Sequence, residues 1–154
     1  MRSNLLLVLS FLFTFSNAIA SGTDDPFAMH FNQSNHVAIH GYDVVSYHTG
    51  TPSMGTNKFS VDYRNVIFNF INQANADEFE SNPEKYVPAY GGWCATAMGT
   101  AGTKLDINPL SFAIQDSVLY LFSTSMGTAK EQWIKGLPSI KQKADSNWVR
   151  LTEN

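Results

Sequence analysis

Blocks of strand pattern and helix pattern stand apart in this sequence, which predicts the α+β class: small antiparallel hairpins packed with several short helices. Three observations carry the prediction. Phe59, Val61 and Tyr63 alternate with polar residues, then Val66, Phe68 and Phe70 do so after a two-residue break. A second such pair runs from Phe112 to Phe122. The closing segment instead places Ile140, Ala144, Trp148 and Leu151 at helical spacing.

Taken in order, the first twenty residues have the pattern of a signal peptide. Arg2 supplies a positive start, Leu5 to Phe15 form an apolar run broken only by Ser10 and Thr14, and Ala18-Ile19-Ala20 is a small-x-small cleavage site. The run is short for a membrane span and polar residues follow at once, so the expectation is an exported, periplasmic or secreted protein with no membrane span after cleavage. Residues 21–35 are polar and read as a flexible lead-in. Residues 36–154 then form one domain, long enough to bury its own core.

Val37-Ala38-Ile39 reads as a short strand ended by Gly41. Asp43 caps a brief helical turn over Val44 to Tyr47, its carboxylate accepting free backbone N–H groups. In the first hairpin an Arg64-Asn65 turn sets Tyr63 against Val66, Val61 against Phe68 and Phe59 against Phe70. Asn72 caps a helix to about Ser81, which Asn82-Pro83 ends. A connector covers 84–90. Gly91-Gly92 leads into a helix from Trp93 to Met98, closed by Gly99. The second hairpin turns at Asp116-Ser117, with Phe112, Ile114, Leu119 and Leu121 on one face. Helices over roughly Ser125 to Lys135 and Ser139 to Leu151 complete the chain, parted by Gly136 and Pro138.

Charge excludes one class of partner. Of ten Lys and Arg residues, Arg2 lies in the leader, leaving nine against thirteen Asp and Glu, a formal −4. The basic residues are scattered, whereas nucleic-acid binding needs them clustered, so no nucleic-acid partner is expected. Enzyme signatures such as Gly-x-Ser-x-Gly, a phosphate loop or HExxH are missing, so binding is expected rather than catalysis.

Cys94 is the single cysteine of the chain. A lone thiol in an exported protein forms no internal disulfide, so it is buried and inert, a metal ligand, or reactive. Cys94 and Met98 are four apart, which on a helix puts both sulfurs on one face. Thiolate and thioether are soft donors suited to copper(I), and His48 or His40 can add an imidazole. Asp43 and Tyr47 can orient such ligands, or serve as a cap and a packed ring. Tyr42, Tyr86 and Tyr90 with Trp93 line a pocket, or belong to the core and its rim.

Three segments carry a resemblance to a known family. They are Gly41-Tyr42-Asp43-Val44-Val45-Ser46-Tyr47, then Phe79-Glu80-Ser81-Asn82-Pro83-Glu84-Lys85-Tyr86-Val87-Pro88, and Tyr90-Gly91-Gly92-Trp93-Cys94-Ala95. With the hairpin between them and the closing Ala144-Asp145-Ser146-Asn147-Trp148, the chain beyond Asn35 resembles the YHS-domain family in its exported single-domain branch. The resemblance implies a small metal-binding module of the kind attached to copper-transporting pumps and some oxygenase components. Many copies carry paired cysteines, whereas here Phe70-Ile71-Asn72 holds no partner for Cys94.

The first expectation for function is therefore sequestration or delivery of a soft metal ion, copper first, by Cys94, Met98 and His48, with Asp43, Tyr47, Tyr90 and Trp93 around them. An envelope protein is the partner class for delivery. The alternative is a non-metal interaction or small-molecule-binding module with a buried structural Cys94. A thiol enzyme or redox sensor is the third reading.

Overall fold

The computed structural model describes residues 25–125 and 127–153. The expected export signal over residues 1–20 lies outside the described residues. Strands and helices are segregated as expected, in two small sheets packed with short helices. Among the described residues no helix is long and apolar enough to cross a membrane.

The lead-in expectation needs correcting for residues 25–35. Asp25 accepts the Phe27 N–H at 2.8 Å and caps a 3-10 turn over Pro26–His30, with Pro26 in its first turn. Phe31 and Asn32 are buried, and Asn32 donates its backbone N–H to the Gly91 carbonyl. Two aromatics, Phe27 and Phe31, give this polar-looking segment enough apolar surface to dock.

Strands β1 (Gln33–Ser34) and β2 (Val37–Ala38) form a tight antiparallel pair, and β2 joins the first hairpin in parallel through Val37 and Ile67. That hairpin is β3 (Thr56–Tyr63) and β4 (Val66–Phe70), giving the order β1-β2-β4-β3. Tyr63 faces Val66 and Val61 faces Phe68 as the alternation demands. Phe59 does not face Phe70: the register shifts between Thr56 and Ser60, and Phe70 pairs with Thr56. Arg64 and Asn65 both take positive φ, the geometry of a type I′ turn.

Helix α1 (Gln73–Ser81) starts at Asn72, whose side chain accepts the Asn75 N–H at 2.8 Å. The connector is partly helical, because Pro83 opens the short helix α2 (Pro83–Tyr86) instead of only ending α1. Helix α3 spans Ala95–Ala101, not Trp93 to Met98. Gly99 lies inside it, and Gly102, at φ +64°, supplies the left-handed cap.

The second hairpin, β5 (Asn108–Gln115) and β6 (Val118–Phe122), keeps the expected register, with Phe112 opposite Leu121 and Ile114 opposite Leu119. Helices α4 (Ala129–Gly136) and α5 (Ser139–Thr152) follow. One continuous core joins the two sheets. Phe68, Phe70 and Phe79 fill the first half, and Leu119, Leu121, Phe122, Trp133 and Met98 fill the second.

Candidate functional site: two clefts beside the Tyr90–Cys94 segment

The segment Ala89–Gly92 makes two tight turns, with Tyr90, Gly91 and Gly92 all at positive φ. Both glycines are required there. A Cβ on Gly91 would lie 2.4 Å from the His30 carbonyl oxygen, and one on Gly92 would lie 2.1 Å from Ile39 Cδ1. The turns send Tyr90, Trp93 and Cys94 to three different places.

Cys94 goes into the core. It is fully buried, it pairs as a parallel bridge with Leu121 of β6, and its N–H donates to the Leu105 carbonyl at 2.9 Å. Met98, also fully buried, donates its N–H to the Cys94 carbonyl at 3.0 Å, so the i, i+4 relation read from the sequence is present. His48 packs edge-on against Tyr86, ring centroids 5.0 Å apart. Its Nε2 is buried with no hydrogen-bond partner among the described residues, and burial, helped by the Lys85 charge, holds its pKa below the ordinary value. Among the described residues no three His, Cys, Asp or Glu side chains come together as a group able to hold a metal ion.

Asp43 is fully buried and saturated from within. Its Oδ1 accepts the N–H groups of Val45 and Ser46, and its Oδ2 accepts the Ile71 N–H and the Asn75 amide. It caps its own turn and ties that turn to the end of β4 and the start of α1, which is the structural one of its two readings. Tyr47 packs edge-on against Phe112 at 5.2 Å. Its hydroxyl is buried without a hydrogen-bond partner among the described residues, and desolvation drives its pKa up.

Tyr90 lines an aromatic groove of about 390 Å³, shared with Phe27, Phe31, Tyr63, Tyr120 and Trp148. The rings meet mostly edge to face: Tyr90 to Trp148 at 6.2 Å, Phe27 to Trp148 at 6.3 Å and Phe31 to Tyr63 at 6.4 Å. Two cations, Arg64 and Lys141, and two carboxylates, Glu84 and Asp145, stand around it. Each already has a partner. Arg64 bonds Asp25 at 2.8 Å and lies over the Phe27 ring at 4.1 Å. Asp145 receives Lys141 at 2.7 Å and the Tyr90 hydroxyl at 2.9 Å. The Tyr63 hydroxyl donates to Glu84, and burial together with that bond pushes its pKa up to about 12. The charges around the groove are thus already hydrogen-bonded, and its interior is apolar and aromatic.

Trp93 lines a different cleft, with Asn32, Gln33, Ser34, Val37, His40 and Asp106. Its indole N–H is taken by the His30 carbonyl at 2.8 Å. Tyr90 and Trp93 therefore do not share the single pocket that the sequence suggested, and Tyr42 and Tyr86 line neither cleft. Sequence reasoning missed Asp106, Asn32, Arg64 and Lys141. Asp106 meets His40 and Asn32 across separations of 66 and 74 residues, and no local pattern marks such a pairing. Trp148 and Asp145 did stand in the closing motif, but their role as a wall of the groove had no signal. No family model, no curated protein and no solved structure matches this chain.

Proposed function

We propose that this chain is an exported binding module of the YHS type that takes a small, neutral, planar molecule into the aromatic groove, with Cys94 as a buried structural residue. The observation that carries the reading is the groove itself, six aromatic rings within a rim of charged groups that are already hydrogen-bonded. Its volume is in the range of small-ligand sites. A charged ligand would have to draw Arg64, Lys141, Asp145 or Glu84 away from the partner it already holds, whereas a flat apolar one gains ring contacts without doing so.

Indole and 2-naphthol are suitable probes, followed by intrinsic tryptophan fluorescence and by the thermal midpoint. Saturable binding is expected, weakened about tenfold by Trp148→Ala through loss of ring contact. Equal, non-saturable effects on the native protein and on Trp148→Ala would reject the groove. Slow native reaction of Cys94 with a thiol reagent, fast only after unfolding, is the matching expectation for the buried thiol.

Copper is the second reading, favoured by one observation: Cys94 and Met98 lie one turn apart at the start of α3, so two soft donors share one buried locality. The full expected set fits less well, because His48 is engaged with Tyr86, and among the described residues no three His, Cys, Asp or Glu side chains group together to complete it. Copper(I) titration against a chromogenic chelator separates the cases. Tight stoichiometric binding abolished by Cys94→Ser supports the metal reading, and equally weak binding by both proteins removes it.

A further inference from the structure

The cleft beside Trp93 is independent of the aromatic groove and is built differently. It encloses about 590 Å³ and is lined by one indole, one valine and five polar or titratable residues. On its lining the carboxylate of Asp106 is held by three donors that all reach Oδ1: His40 Nε2 at 2.8 Å, the Asn32 amide at 3.0 Å and the Ile107 N–H at 2.8 Å. Burial raises the Asp106 pKa, but these hydrogen bonds outweigh it and keep the carboxyl below its ordinary value. Asp106 Oδ2 has no partner among the described residues, and its side chain is 62 % exposed. His40 spends Nε2 on the carboxylate, which leaves Nδ1 for a ligand.

The constellation is held by the fold, not by chance surface contact. Asn32 is 4 % exposed and also donates to the Gly92 carbonyl at 3.2 Å, so it is a fixed prop beneath Asp106. Ile39 and His40 are consecutive residues at positive φ, +50° and +55°. That region is rarely taken by a β-branched residue, so the surrounding structure must hold it there. Ile39 is fully buried, and its Cδ1 occupies the space opened by Gly92, so packing imposes the conformation that sets His40 against Asp106.

We propose that this cleft binds a sugar ring. A pyranose presents an apolar C–H face and a rim of hydroxyls. Trp93 offers an apolar wall whose N–H is already satisfied, and Asp106 Oδ2, His40 Nδ1, Ser34 and Gln33 offer hydrogen-bonding groups for hydroxyls. An anion meets the Asp106 carboxylate, and a metal ion finds no trio of ligands. A purely apolar ligand leaves the polar groups unpaired.

The test uses protein expressed from the full-length coding sequence and labelled with 5-fluorotryptophan, whose three resonances are assigned by Trp93→Phe and Trp148→Phe. Maltose, cellobiose and chitobiose are the probes, titrated to millimolar concentration. The expected result is saturable movement of the Trp93 signal by at least one disaccharide, with Asp106→Asn and His40→Gln each weakening it about tenfold through lost hydrogen bonds. The buried Trp133 signal reports that each variant is folded. Should either variant fail that check, the other carries the comparison. No movement of Trp93, movement of Trp148 instead, or equal affinity in folded variants each overturns the proposal. Because the readout is at Trp93 and not Trp148, failure here leaves the aromatic groove standing.

Discussion

At the scale of single residues, Asp43 decides more of the fold than its place in a loop suggests. Its carboxylate satisfies four donors from three segments without any cation. Replacing it by Ala leaves buried donors unpaired, and a loss on the order of 3–5 kcal/mol is expected in denaturant unfolding. A loss under about 1 kcal/mol would show that water replaces the carboxylate easily. His48 sets a pH dependence. Its pKa is depressed in the folded state by burial first and Lys85 second, from an ordinary value of 6.5. As pH falls through that ordinary value, the unfolded chain takes up a proton that the folded chain resists. His48 therefore favours the folded state above that value and loses this contribution as pH drops toward its folded pKa. His48→Gln should flatten the acid side of a stability-versus-pH curve measured between pH values of about 7 and 5. An unchanged slope assigns the effect to another group. The sequence made the capping role of Asp43 legible because a carboxylate followed by two free N–H groups is a local pattern. Its other two partners are 28 and 32 residues away, and nothing local announces them.

At the scale of elements, the contact between α3 and α5 turns on Gly99. A Cβ there would stand 2.6 Å from the Ile140 carbonyl oxygen and 2.7 Å from Ile140 Cγ1. Alanine is the better helix former by about 1 kcal/mol, so Gly99→Ala would stabilise an isolated α3. In the folded chain the clash is with backbone and prevails, and a net destabilisation of roughly 1–3 kcal/mol is expected from thermal or denaturant melts. A raised melting point would mean that α5 slides away without cost. The same glycine explains an error of reading. Near an expected helix end, glycine signals termination, but its use here is close helix approach, and only the partner helix reveals that. The hairpins were more legible because alternation and turn residues are both local. The bulge between Thr56 and Ser60 was hidden, since an inserted residue leaves the composition of the strand intact.

At the scale of the molecule, the α+β class was readable from the segregation of the two periodicities, while the division of the Tyr90–Cys94 segment was not. Two consecutive glycines announce a turn, but where its flanking side chains end up depends on Ile39, His30 and Trp148, which lie far off in the chain. The lead-in was misread for a related reason. Its average polarity is set by Asn, Gln and Ser, while its packing is set by Phe27 and Phe31. Average composition describes the chain before it has neighbours. Docking depends on the few residues that find them.

Phe27 and His30 rest edge-on against Trp148, near the opposite limit of the described chain. Phe27 must therefore wait for a ring partner made more than a hundred residues later, so synthesis from the ribosome delivers the last piece of that wall only when α5 emerges. Until then Phe27 and Tyr90 lack the Trp148 ring that packs against both, and a chaperone that recognises clustered aromatics has its longest opportunity at this spot.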